Sequence, residues 1–261
     1  VGKIAKLESA VDQSPVLGCT GIGHTRWATH GAPNEINAHP HHDCTDTIAV
    51  VHNGIVENAT PLRAQLEKRG HKFKSETDTE VFAHLIEAAS EGDTPLEEAV
   101  IDALRVVEGT YGIAVISSKD PEKIVAARKG SPLLLGLGEG ENNVPSDVAA
   151  ILQHTRQVVY LDDGEMAVVT KKGYEVFDLN AKRVRKGVSR IDWDLDQIEK
   201  GGFDHFMLKE IFEQPQAVQN TMRGRLVVEE GFSKLGGLNL TRDDLLNIDH
   251  IVITACGTSW H

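Results

Sequence analysis

Cysteine is scarce in this sequence: Cys19, Cys44 and Cys256 are the only three among 261 residues. An odd, scattered set without a CxxC pair makes no disulfide framework and points to a reducing, cytosolic setting. Long apolar runs are also lacking. No stretch approaches the ~18 apolar residues a membrane span needs, so neither a span nor a membrane partner is expected. No secretory leader is read at the start. Positive charge is in deficit, with 27 Lys and Arg against 39 Asp and Glu, a formal net charge of −12. That balance disfavours a nucleic-acid partner. Internal repeats and low-complexity tracts are missing as well. What remains is an ordinary globular composition, long enough for one large domain or two modest ones.

Residues 48–57, IAVVHNGIVE, are β-branched and apolar around His-Asn-Gly, which predicts a strand, a tight turn and a second strand. Asn58 with Thr60-Pro61 opens a helix that Gly70 ends. Residues 75–90, SETDTEVFAHLIEAAS, begin with capping residues and continue at helical spacing. A third helix follows Thr94 and ends near Gly109. Beyond it, YGIAVIS, KIVAARKG, PLLLGLG, QVVYLDDGEMAVVT and YEVFDL read as strands between turns. Strands, adjacent helices, then strands predict an α+β layered domain. The shift from a basic stretch, 171–190, to the acidic, Gly-ended IDWDLDQIEKGG predicts a boundary near 195–203, with domains over 1–198 and 199–261. A linker helix, FMLKEIFEQPQAVQNTM, carries Pro215, which should kink or restart it. HIVITACGTS is expected to be the first strand of a second, α/β domain, its small hydroxyl residues facing a phosphate. The start at Val1 and the stop just after that strand lead us to expect a fragment.

The chemistry concentrates in three short runs. In GHTRWATHG (residues 23–31), Arg26 offers a planar donor fork that matches a carboxylate. Taken singly, Arg26 would be a solvated surface residue and Trp27 a core residue. In His52-Asn53-Gly54, a side-chain amide beside a Gly N–H could form an oxyanion hole. From these three residues alone a hairpin turn is the stronger reading. In SETDTE, Asp78 could hold an ammonium, although helix N-terminal chemistry accounts for the run equally well. A carboxylate receptor and an ammonium receptor together would suit an amino acid. The run His39-Pro40-His41-His42-Asp43 invites a metal, but its spacing does not place ligands on one face, and no metal is expected. The glycines at 136, 138 and 140 run into Glu139 and Glu141, which would repel phosphate.

GHTRWATHG, VHNGIVEN, SETDTE, AARKGSPLLLGLGEGE, HFMLKEIFEQP and ACGTS occur here in order, and together they resemble the glutamine–fructose-6-phosphate aminotransferase family along essentially the whole chain. The first three are shared with other class II glutamine amidotransferases; the last two narrow the match. The resemblance implies an N-terminal-nucleophile-type αββα sandwich, incomplete here, followed by the linker helix and the start of a sugar isomerase domain. It implies glutamine and fructose 6-phosphate as substrates, ammonia channelled between the domains, no cofactor, and a homo-oligomer for the full-length protein. Arg26 would grip the glutamine α-carboxylate, and Asp78 the α-ammonium, helped by groups near Thr29 and His30. Asn53 and Gly54 would form the oxyanion hole, overriding the hairpin. Trp27 would gate the ammonia exit, where exclusion of water protects the product. Thr258 and Ser259 would begin the sugar-phosphate site.

The family's nucleophile is a Cys at the mature N-terminus, whose own amine serves as base, and Val1 is not that residue. Some forty to fifty opening residues of the family pattern are not matched, so the chain is expected to be inactive alone. Cys19 is a poor substitute. A strand rising ~3.3 Å per residue would hold it ~23 Å from Arg26, and it is expected to be a core residue. Another class II amidotransferase, or a non-catalytic glutamine or sugar-phosphate sensor, are the alternatives.

Overall fold

The computed structural model describes residues 4–26, 31–90, 92–191, 200–222, 225–227, 231–233 and 241–255. The chain divides into two compact units, Val1–Leu195 and Asp196–His261.

In the first unit, apolar residues recurring at three- and four-residue spacing build the helices. The helix α1 spans Ile4–Gln13, α2 Ala59–Lys68, α3 Glu80–Ala89 and α4 Leu96–Val106. Leu96, Ala99, Val100, Ala103 and Leu104 are buried on α4, a stripe of i, i+3, i+4, i+7 and i+8. The strands are β1 (His41–His42), β2 (Ile48–Val56), β3 (Gly109–Ser117), β4 (Asp120–Lys129), β5 (Leu134–Leu137), β6 (Asn142–Asn143), β7 (Gln157–Tyr160), β8 (Glu165–Thr170), β9 (Gly173–Asp178), β10 (Arg183–Val184) and β11 (Ser189–Arg190). They form a seven-stranded sheet, ordered β1-β2-β3-β4-β8-β9-β10, and a four-stranded sheet, ordered β11-β7-β5-β6. Every named pairing is antiparallel.

Alternation along the strands sorts two cores. Val50 of β2, Val125 and Ala127 of β4 and Met166 of β8 meet Phe82, Ile86 and Val100 of the helices. On the opposite face, Ala126, Ala167 and Val169 meet Leu135, Val159 and Leu161. The order is therefore helices, large sheet, small sheet. This is the expected α+β sandwich with three of its four layers among the described residues. The helix α1, not foreseen in the sequence, buries none of its residues.

Three local expectations are corrected. His52-Asn53-Gly54 is not a turn: β2 runs unbroken through it, paired with β3 from Ile48↔Ser117 to Val56↔Gly109. A type I′ hairpin needs positive φ at both central residues, and of Asn53 and Gly54 only Gly54 has it, at 136°. Pro61 is the third residue of α2, not the first, while Asn58 precedes that helix and Gly70 follows it with φ 99°. Cys19 is exposed, in a segment without strand structure.

In the second unit, α5 (Phe206–Met222) contains Pro215 without ending there. The strands β12 (Leu226–Val227) and β13 (Phe232–Ser233) form a hairpin, and α6 (Arg242–Leu246) carries a capping box from Thr241 and Asp244. The strand expected at 250–259 does not form in its described part. Ile251, Val252 and Ile253 are exposed and join no sheet, because a strand needs a ladder partner and no described segment supplies one. None of the described helices is long and apolar enough to cross a membrane.

Candidate functional site

A cleft of about 380 Å³ opens where β2, the loop before α3 and the segment before β1 meet. Arg26, Asn53, Gly54 and Asp78 all line it, together with His24, His39, His52, Thr79 and Thr110. Four residues singled out in the sequence, separated by up to 52 positions, thus share one cavity. Trp27, Thr29, His30, Thr258 and Ser259 lie outside the described residues. The described residues lining the cleft include no cysteine.

The strand β2 sets the floor. Asn53 accepts a hydrogen bond at its Oδ1 from His24 Nε2, at 2.7 Å, so its Nδ2 hydrogens are directed elsewhere. Gly54 is obligatory. A Cβ there would stand 2.2 Å from the Thr110 carbonyl oxygen. His52, pointing to the helix side, donates from Nε2 to Thr110 O at 3.2 Å and accepts at Nδ1 from the Thr79 hydroxyl at 2.9 Å. A carbonyl can only accept, which fixes the tautomer.

The loop before α3 forms one wall. Glu80 accepts from the backbone N–H groups of Lys74 and Ser75 and from the Ser75 hydroxyl. Burial alone would raise its pKa; hydrogen bonds from His84, Ser75 and the backbone overcome that and bring it to about 2. The cap expected from SETDTE does not form: Thr79 precedes α3 without a side-chain cap bond, and Glu80 holds the chain ahead of the helix instead. Asp78 does something else. Its buried carboxylate accepts the Val56 N–H at 2.8 Å and so ties the loop to β2.

The opposite wall carries Arg26. Its guanidinium donates to the carbonyls of Gly31 and Ala32, each at 3.1 Å. Asn37, missed in the sequence, joins the two walls. Its Nδ2 donates to Ala32 O and to Glu76 Oε2, and its Oδ1 accepts from Glu76 N–H. No local pattern marks Asn37, since its partner Glu76 lies 39 residues away.

His24, His39 and His52 line the cleft, and His41 packs edge-on against His39. Burial first, and then the neighbouring His24, push His39 down to about 3. Burial likewise lowers His41 to about 4, against the pull of Glu80, and lowers His52. His39 stacks on His24 at 4.3 Å between ring centres. Imidazole rings at one rim, a buried carboxylate and a guanidinium at the others, and an amide on the floor suit a small zwitterion with an amide or acyl group.

A family model described as a glutamine amidotransferase domain matches residues 24–153. The protein named glutamine–fructose-6-phosphate aminotransferase [isomerizing] from Chlorobaculum tepidum is 52% identical over 265 residues, covering 100% of this chain and 43% of its own length. A namesake from Thermus thermophilus is 51% identical over 258 residues, covering 99% of this chain and 42% of its own. The chain therefore spans less than half the length of these curated relatives. Among solved structures, glutamine phosphoribosylpyrophosphate amidotransferase from B. subtilis, complexed with ADP and GMP, matches with a TM-score of 0.50 at 27% identity. That match covers 62% of this chain and 35% of the other. The antiparallel α+β fold is that of the N-terminal-nucleophile-type amidotransferases.

Proposed function

We propose that this chain, matched over residues 24–153 by the glutamine amidotransferase domain model, binds glutamine in its cleft within a glutamine–fructose-6-phosphate aminotransferase. The observation that carries the reading is the convergence of Arg26, Asp78 and Asn53-Gly54 on one cavity.

Each group has a physical task. The Arg26 fork pairs with the α-carboxylate and Asp78 with the α-ammonium, two charge-assisted contacts that fix the amino-acid end. The side-chain amide of glutamine then lies toward β2. When a nucleophile adds to its carbonyl carbon, negative charge develops on the oxygen. Asn53 Nδ2 and the Gly54 N–H are the donors placed to stabilise it. His24 is a positioning residue: by donating to Asn53 Oδ1 it turns the amide's N–H groups toward the substrate. Loss of ammonia leaves an acyl intermediate that water hydrolyses to glutamate. The family's nucleophile is an N-terminal Cys thiol, and the ammonia is delivered to fructose 6-phosphate, giving glucosamine 6-phosphate. The names carried by the relatives at 51–52% identity support the hexosamine product over other amidotransferase products.

Calorimetric titration of L-glutamine into the chain tests the receptor. Asp78→Asn keeps an oxygen for the Val56 N–H but removes the charge. It is expected to weaken binding roughly 10- to 100-fold, the worth of a charge-assisted hydrogen bond. His42→Ala, exposed on β1, is expected to leave affinity unchanged. Equal affinities in wild type and Asp78→Asn would remove Asp78 from the site. Glucosamine 6-phosphate formed by the gene's complete product tests the acceptor.

A further inference from the structure

Away from the cleft, four donor side chains from three separate segments converge. Cys44 lies in the loop between β1 and β2, His71 follows α2, and His84 and Glu87 project from α3. One ligand atom from each lies within 4.8 Å of all the others. Cys44 Sγ is 3.8 Å from His71 Nδ1 and 3.6 Å from His84 Nδ1. Glu87 Oε2 is 2.7 Å from His71 Nδ1 and 3.2 Å from His84 Nδ1. Tetrahedral zinc, with Zn–S about 2.3 Å and Zn–N about 2.0–2.1 Å, places neighbouring ligand atoms roughly 3.3–3.6 Å apart. The observed spacings straddle that range.

We propose that Cys44, His71, His84 and Glu87 form a structural Zn2+ site that fastens the loop after β1 and the end of α2 to α3.

Three observations favour a metal over a hydrogen-bonded polar cluster. The first is the geometry around His84. Its Nδ1 faces Glu87 and its Nε2 faces Glu80 Oε1, 3.6 Å away. With a metal on Nδ1, the proton sits on Nε2 and points at Glu80, the carboxylate–histidine–metal arrangement that orients a ligand ring. The second is the support of that carboxylate, which three N–H or O–H donors from Lys74 and Ser75 hold in place. The third is donor chemistry. One thiol, two imidazoles and one carboxylate, four ligands in all, suit closed tetrahedral Zn2+ better than the oxygen-seeking Mg2+ or Ca2+. Cys44 is exposed while His84 is fully buried, so the site has an entrance and a floor. The Lys72 N–H, 3.3 Å from Sγ, would stabilise the thiolate.

The site was overlooked in the sequence because its members are 27, 40 and 43 residues from Cys44. None of them is His39, His41 or His42, the histidines of the suggestive HPHH run.

Chain purified without chelator is expected to contain about one zinc per molecule by elemental analysis. After the metal is stripped and replaced by Co2+, wild type should show the visible bands of tetrahedral cobalt and a near-ultraviolet thiolate-to-cobalt band. Cys44→Ser should lose the thiolate band, and His71→Ala should bind Co2+ at least about tenfold more weakly. Added Zn2+ should raise the melting temperature of stripped wild type but not of His71→Ala. Circular dichroism identifies a variant that fails to fold, and the other then decides. The proposal is overturned if wild type binds neither metal, or if the thiolate band survives in folded Cys44→Ser, which would place the metal on Cys19 or Cys256.

Discussion

A methyl group on Gly54 would meet the Thr110 carbonyl oxygen at 2.2 Å and would require φ of 136° from an L side chain. Gly70 also has positive φ, 99°, but nothing lies within 4 Å of its absent Cβ. The pair separates steric overlap from backbone strain. Gly54→Ala is expected to cost roughly 2–4 kcal/mol and Gly70→Ala about 1–2 kcal/mol, read from urea midpoints. Equal costs would mean that the strands part without penalty. The neutral histidines make a separate statement. His39 and His41 hold pKa values of about 3 and about 4 against 6.5 for an ordinary imidazole. Between those values the unfolded chain binds more protons than the folded one. Stability should therefore sit on a plateau above pH about 6.5 and fall as the pH drops toward 4, with a slope approaching about 1.4 kcal/mol per pH unit for each ring. Glu80, lowered from 4.5 to about 2, continues the loss at more acid pH. Denaturant midpoints across that range, in wild type and in His41→Gln, check the assignment. The variant should show the shallower decline, and identical slopes would acquit His41.

Among the elements, Asn58 shows how a local signal can be right about position and wrong about cause. It precedes α2, as the pattern Asn-x-Thr-Pro predicts, yet its side chain makes no cap bond. Instead Nδ2 donates to Val106 O at 2.8 Å and Oδ1 accepts from Glu108 N–H at 3.0 Å, clasping the start of α2 to the end of α4. Asp caps helices as well as Asn does but cannot donate to a carbonyl. Asn58→Asp is thus expected to destabilise by about 0.5–1.5 kcal/mol, where a simple cap would show no change by the same urea titration. The same contrast explains what was legible in the sequence. The helices α2, α3 and α4 and the strands β3, β4, β8 and β9 follow from periodicity, which is local. The two-residue strands β1, β6, β10 and β11 do not, because their existence depends on a neighbour. His-Asn-Gly is ambiguous by itself; only pairing with β3 makes it strand. Arg26, Asn53, Gly54 and Asp78 could be picked out as types suited to an amino acid, and the family motif strengthened them. His24 and Asn37 could not, since each acts through a partner 29 to 39 residues away.

At the level of the whole molecule, stability is unevenly distributed. The strands β2, β3 and β4 are central, with registers over nine residue pairs between β2 and β3, and their apolar residues face both cores. Their amides are expected to exchange with deuterium slowest, near the rate set by global unfolding. Ser14–Arg26 and Ile248–Ala255, without regular structure and mostly exposed, should exchange within the dead time of a mass-spectrometric experiment. Strong protection of Ile251–Ile253 would reveal a partner strand supplied by another molecule.

The bond from the Val56 N–H to Asp78 has one more consequence. On the proposed reading it fastens the anchor for the amino-acid end to the same strand that carries Asn53, three residues earlier. A strand stretches little, so the interval between the two receptors is a fixed gauge, about 10 Å along β2. On the proposed reading, discrimination between glutamine and asparagine needs no pocket contact with the missing methylene. The shorter amide is held at one end of the gauge and falls short of the other, so selectivity resides in the stiffness of β2.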